Sequence, residues 1–172
     1  MVTPLPELMR LAPPLRVKVS ALASVAEDLG WRSVRPDYRG DDALGYAGSV
    51  QPRVDRLLAA ARDAQAPLVL AGSSMGAFVS GIASLQVACA GIFLVALPVV
   101  IPRWSQRFDM AQGVPAMLVH GFNDELCPPA PSVAFANARR FPVLLLPDDH
   151  RLSAHVELVA RQFRLFLERL PA

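Results

Sequence analysis

Lysine is nearly absent from this 172-residue chain: sixteen arginines accompany one lysine, Lys18. The arginines are scattered, Arg139-Arg140 being the one adjacent pair, and the net charge is only +2. No basic stripe forms, so nucleic acid is not expected as a partner. Cysteine is equally scarce. Cys89 and Cys127 make no C-x-x-C and cannot build a disulfide framework. Three histidines are too few for a His-rich metal site, and no cofactor is expected. Long apolar runs are missing too. The longest, Val87 to Ile101, is interrupted by Gly91 and Pro98 and falls short of the roughly 20 residues a membrane span needs. The first residues hold no secretory apolar region, because Pro4, Pro6, Arg10, Pro13, Pro14, Arg16 and Lys18 interrupt them. A cytoplasmic protein without membrane contact is the expectation. With 53% apolar and 19% charged residues the chain is not disordered. Its length suits one domain over residues 1–172, the first eighteen or so being atypical of the rest.

What is present alternates between two periods. Leu22, Val25, Ala26 and Leu29 share one helical face, stopped by Gly30, and Trp31 to Val34 reads as a short strand. Val54, Leu57, Leu58 and Ala61 make a second helical stripe. Leu68 to Ala71 is a continuous apolar run, as in strands buried on both faces. Helix is then expected over Gly76 to Ala88, strand over Ile92 to Ala96, and loop with a little helix over Pro98 to Pro115. Strand follows over Ala116 to His120, helix over Ser132 to Arg140, strand over Val143 to Leu146, and a long helix over Ala154 to Leu170. Strand and helix in strict alternation predict an α/β, three-layer fold with a mostly parallel, doubly wound sheet. Ligands bind such sheets outside the carboxyl ends of their strands.

The segment after the third strand, Gly72-Ser73-Ser74-Met75-Gly76, contains G-x-S-x-G between a buried strand and a helix. Chance alone supplies this pattern in about a few per cent of chains this long, so its setting matters more than its letters. A tight strand-to-helix turn needs small neighbours around a serine nucleophile. The plainer alternative is a glycine-rich turn without chemistry; a phosphate loop is disfavoured because G-x-x-x-x-G-K is absent. A nucleophilic serine needs a base, and the base an orienting acid. After two later strands come Asp124 and His150, in the chain order serine, acid, histidine.

Together, Gly72-Ser73-Ser74-Met75-Gly76, His120-Gly121-Phe122-Asn123-Asp124 with Pro128, and Asp149-His150 resemble the α/β-hydrolase superfamily, in particular its small lidless members. The resemblance spans about residues 20–170. It implies Ser74 as nucleophile, Asp124 as triad acid, His150 as base and the Met75 N–H as an oxyanion donor. It further implies a serine esterase or acyl hydrolase acting on a small ester or thioester. The oligomeric state is left open.

Competitors exist for each role. His120 is a structural residue by the same resemblance. His155 falls in the last helix, where it faces solvent or caps. Glu125 stands one residue off the expected spacing, and Asp148 and Asp149 are expected to cap a turn. Cys127 reads as a small buried residue and Ser73 as the variable position of the turn. Only nineteen residues separate Ala96 from Ala116, too few for a helical lid. In that stretch Trp104, Phe108 and Met110 either line an acyl pocket or cover the sheet. Asp37 to Val50, rich in Gly and Asp, is expected to border the site as a loop.

The N-terminal region departs from the family pattern. Leu8 to Val17, where a strand and a His-Gly loop are expected to supply a second oxyanion N–H, has no glycine and carries Pro13 and Pro14. No buried central strand of five residues can be placed there. Either another N–H fills that role, or the first strand is missing from this chain, which would leave a sheet edge open to pairing. Two other functions share the scaffold: a catalytically impaired binding module, and an acyltransferase passing its acyl group to an acceptor other than water. A nucleotide-binding domain lacks G-x-G-x-x-G.

Overall fold

The computed structural model describes residues 7–9, 16–64 and 67–170. The sheet has six strands: β1 (Glu7–Met9), β2 (Arg32–Val34), β3 (Leu68–Ser73), β4 (Gly91–Val95), β5 (Ala116–Gly121) and β6 (Val143–Leu146). Their order is β2-β1-β3-β4-β5-β6, and every pairing is parallel. The helices are α1 (Arg16–Asp28), α2 (Gly45–Gly48), α3 (Val50–Arg62), α4 (Met75–Ser84), α5 (Pro129–Arg139) and α6 (Val156–Glu168). The three-layer parallel α/β fold is as the alternation of periods requires.

Two apolar layers sandwich the sheet, and the central strands feed both by simple alternation. Leu68, Leu70, Ile92, Leu94 and Leu118 point to one layer, where α3 and α4 supply Val54, Leu57, Phe78 and Ile82. Val69, Ala71, Phe93, Val95 and Val119 point to the other, where α1 and α6 supply Leu22, Ala26, Val159 and Phe163. Gly30 takes φ 80 just after α1, a conformation glycine adopts without strain, and turns the chain into β2.

Several expectations need correction. A strand does precede α1: Glu7–Met9 lies between β2 and β3, with Leu8 opposite Ser33 and Val69. Three residues suffice there because both neighbours supply ladder partners. The remainder of the suspect region, residues 10–15, lies outside the described residues. The 98–115 stretch contains no helix, and α4 ends at Ser84 rather than Ala88. Helix α5 starts at Pro129, since proline fits the first turn of a helix where no N–H is needed. Asp37 to Val50 is not open loop. It folds as a 3-10 helix (Arg39–Leu44) followed by α2. Phe108 and Met110 are buried in the α3/α4 layer and Trp104 packs against it, so all three cover the sheet. Phe108 stacks near Phe78 and Phe135, with ring centroids 5.2 and 4.9 Å away.

Candidate active site

Ser74 stands at the junction of β3 and α4 with φ 56 and ψ −125, outside the regions ordinary residues favour. Its neighbourhood enforces that geometry. The Ser74 N–H donates to the Val95 carbonyl at 2.9 Å, while its own carbonyl accepts the Ala77 and Phe78 N–H groups at 2.8 and 3.2 Å. Gly72 is pressed so closely to the helix start that an added Cβ would lie 2.2 Å from the Gly76 oxygen. This close approach explains the small residues on both sides of the serine. The Met75 N–H, at the first position of α4, is among those a helix start leaves without an intrahelical acceptor.

The three sequence-expected side chains meet. Ser74 Oγ is 3.0 Å from His150 Nε2, and His150 Nδ1 is 2.7 Å from Asp124 Oδ2. Asp124 sits in the turn after β5 and is 3% exposed. The Leu126 and Cys127 N–H groups donate to its Oδ1 at 3.0 and 2.7 Å, while Oδ2 faces His150 Nδ1 and lies 3.2 Å from His120 Nε2. That sharing holds the carboxylate and sets the tautomer in which Nδ1 carries the proton and Nε2 faces the serine. The loop bearing His150 lies directly on β5: a Cβ on Gly121 would come 2.4 Å from the Asp149 oxygen.

The competitors fall away from this relay. His120 is fully buried and spends Nε2 on the Cys127 carbonyl at 2.7 Å, 3.2 Å from Asp124. Burial, its largest influence, pushes its pKa down, so it stays neutral and braces the acid's turn. Glu125 is exposed. Asp148 accepts from the Asp149 and Ala154 N–H groups and pairs with His155 at 2.8 Å, bracing the 3-10 turn (Ser153–His155) that leads into α6. Asp149 accepts from the Arg151 N–H at 2.7 Å. Ser73 is buried. Asp124, Cys127 and His150 bring one potential metal-ligating atom each within 4.8 Å. Burial lifts the Cys127 thiol to about 11. His150 Nδ1 is already committed to Asp124.

One participant is not legible in the sequence. Lys18 of α1 is 2% exposed, and its Nζ donates to the His150 carbonyl at 2.8 Å. Burial lowers its pKa from 10.5 to about 8, the nearby Asp124, Asp149 and Asp148 opposing that shift. Only its being the lone lysine hinted at any role. Tyr46 of α2 is a second such residue. Its hydroxyl interacts with that of Ser74, and burial pushes its pKa up.

The relay opens onto a cleft of about 1210 Å³ bordered by segments following β2, β3, β4, β5 and β6. The 37–50 segment contributes Asp37, Arg39, Asp42 and Tyr46. Among the described residues no helix is long and apolar enough to cross a membrane.

No family model matches the sequence, and neither does any curated protein. Solved structures do. A Xanthomonas campestris pv. campestris protein assigned to the α/β superfamily of hydrolases is 41% identical, with TM-score 0.89, over 95% of this chain and 98% of its own. A Coxiella burnetii α/β serine hydrolase homologue is 23% identical with TM-score 0.73, over 94% and 85% of the two chains. A lidless α/β serine hydrolase from Xanthomonas campestris is 21% identical with TM-score 0.69, over 99% and 85%. The last two show likeness of fold alone.

Proposed function

Because this chain belongs to the α/β-hydrolase superfamily, we propose that it is a serine hydrolase cleaving a small ester or thioester through an acyl-enzyme on Ser74. The observation that carries this reading is the continuous relay from Ser74 Oγ to His150 Nε2 and from His150 Nδ1 to Asp124.

In the proposed mechanism His150 Nε2 takes the Ser74 proton as Oγ attacks the carbonyl carbon. Asp124 holds the imidazole and stabilises the imidazolium that forms. The Met75 N–H donates to the developing oxyanion. A single such donor lowers the barrier by about 3 kcal/mol. The imidazolium then protonates the leaving oxygen or sulfur, the acyl-enzyme remains, and water activated by His150 releases the acid. Free Cys89 and Cys127 suit a cytoplasmic setting.

Fluorophosphonate labelling followed by intact mass tests the reading. Wild type should gain one adduct and Ser74→Ala none, and ester turnover should fall by about 10⁴-fold or more in that variant. A folded wild type that takes no label, or a variant that keeps turnover, overturns it.

A further inference from the structure

The cleft is lined by two unlike sets of side chains. Ser74 follows β3, in the middle of the sheet, so segments from both halves of the sheet border it. The β4/β5 half contributes Pro98, Val100, Pro102 and Leu126. Val100 and Leu126 are 72% and 77% exposed, so an apolar group laid against them would relieve their hydration.

Guanidinium groups supply the contrast. Four line the cleft against two carboxylates, an excess of two positive charges. Arg39 is occupied, its Nε lying 2.9 Å from both oxygens of Asp37, and Arg53 is paired with Asp42. Arg35, one residue past β2, makes a single 3.5 Å contact with the Ser20 hydroxyl. Arg151 follows His150 and is therefore carried to the same cleft. Neither forms an ion pair with a carboxylate among the described residues. An unpaired guanidinium beside a reacting centre is a ready partner for a planar or tetrahedral oxyanion.

Resting on the serine-hydrolase reading, we propose that the substrate is amphipathic, an ester or thioester bearing a carboxylate or phosphate a few bonds from the scissile carbonyl. Arg35 and Arg151 hold that anion, and Val100 and Leu126 take the hydrocarbon part. Both arginines are exposed, so their hold is salt-sensitive.

Matched esters test this. Mono-p-nitrophenyl glutarate is compared with p-nitrophenyl valerate, placing the charge on the acyl side. The 4-butyryloxybenzoate anion is compared with its methyl ester, placing it on the leaving side. At low ionic strength at least one anionic member should exceed its neutral twin in kcat/KM by about tenfold, mostly through KM. That ratio should drop to about twofold or less in Arg35→Gln/Arg151→Gln, or in about 0.5 M NaCl. Arg62→Gln, outside the cleft, should keep it. Competition by glutarate against inorganic phosphate identifies the preferred oxyanion. Turnover with no charge preference, or a preference that survives the double substitution, overturns the proposal and leaves the hydrolase reading standing. If no ester is cleaved, calorimetry of the Ser74→Ala protein with monomethyl and dimethyl glutarate decides. Selective binding of the anion that the double substitution abolishes keeps the anion-holding cleft and removes the hydrolase reading. Equal or no binding overturns the proposal.

Discussion

Lys18 shows what one residue does beyond its type. Its ammonium is buried against the His150 carbonyl, so the loop that carries His150 is tied to α1, 132 positions earlier in the chain. Lys18→Met removes that tie. We expect kcat to fall about ten- to a hundredfold with KM little changed, since small displacements of a reacting group are costly. The pH dependence of stability gives a second readout. The unfolded chain holds this proton up to about 10.5, while the folded protein releases it near 8. Between those values unfolding takes up a proton, so the stability contributed by Lys18 rises with pH. Below about 8 both states are protonated and the cost of the buried charge is constant. Thermal melts should therefore shift in favour of wild type over Lys18→Met between pH 8 and 10, and a constant difference would show that the group does not titrate there. Ser74, Asp124 and His150 were legible because each follows a readable strand. Lys18 was not, because nothing in local spacing says which distant carbonyl an ammonium will meet.

At the scale of elements, the β3–α4 junction is the most constrained piece. A Cβ on Gly72 would meet the backbone of Gly76 and Ala77 at 2.2 to 2.7 Å, and backbone cannot step aside as a flexible side chain can. Gly72→Ala should destabilise the protein by about 3 kcal/mol in urea melts and slow fluorophosphonate labelling as the turn opens. Full-rate labelling in that variant would show that the close approach is not needed for an activated Ser74. The G-x-S-x-G spacing made this junction readable. The 97–115 strap was not readable in the same way. Its aromatic residues carry no period, and their place is set by what they cover. Phe108 fits against Gly81, where an added Cβ would lie 2.4 Å from the ring. Likewise the 37–50 segment was legible as a border of the cleft, but its helical turns were not. They are held by distant pairs such as Arg56 to Asp41 at 3.1 Å and Arg53 to Asp42.

For the whole molecule, the sheet depends on a strand that composition obscured. Glu7–Met9 joins β2 to the remainder of the sheet, so β2 and the arginine-bearing turn after it rest on three residues. Leu8→Pro removes a ladder N–H and its ring crowds the neighbouring strand. It should cost about 3 kcal/mol or more and lower the urea midpoint. An unchanged midpoint would mean that the sheet does not need this strand. The layers, the parallel strands from β3 to β6 and the three residues that meet at Ser74 are legible along the chain. Each rests on local periodicity or on a position just past a strand. The short central strand, the anchoring of His150 by Lys18 and the gathering of apolar and guanidinium side chains around one cleft come from tertiary packing alone. Those depend on which distant segments a parallel sheet sets side by side, and side-chain period within one segment carries no record of its neighbours.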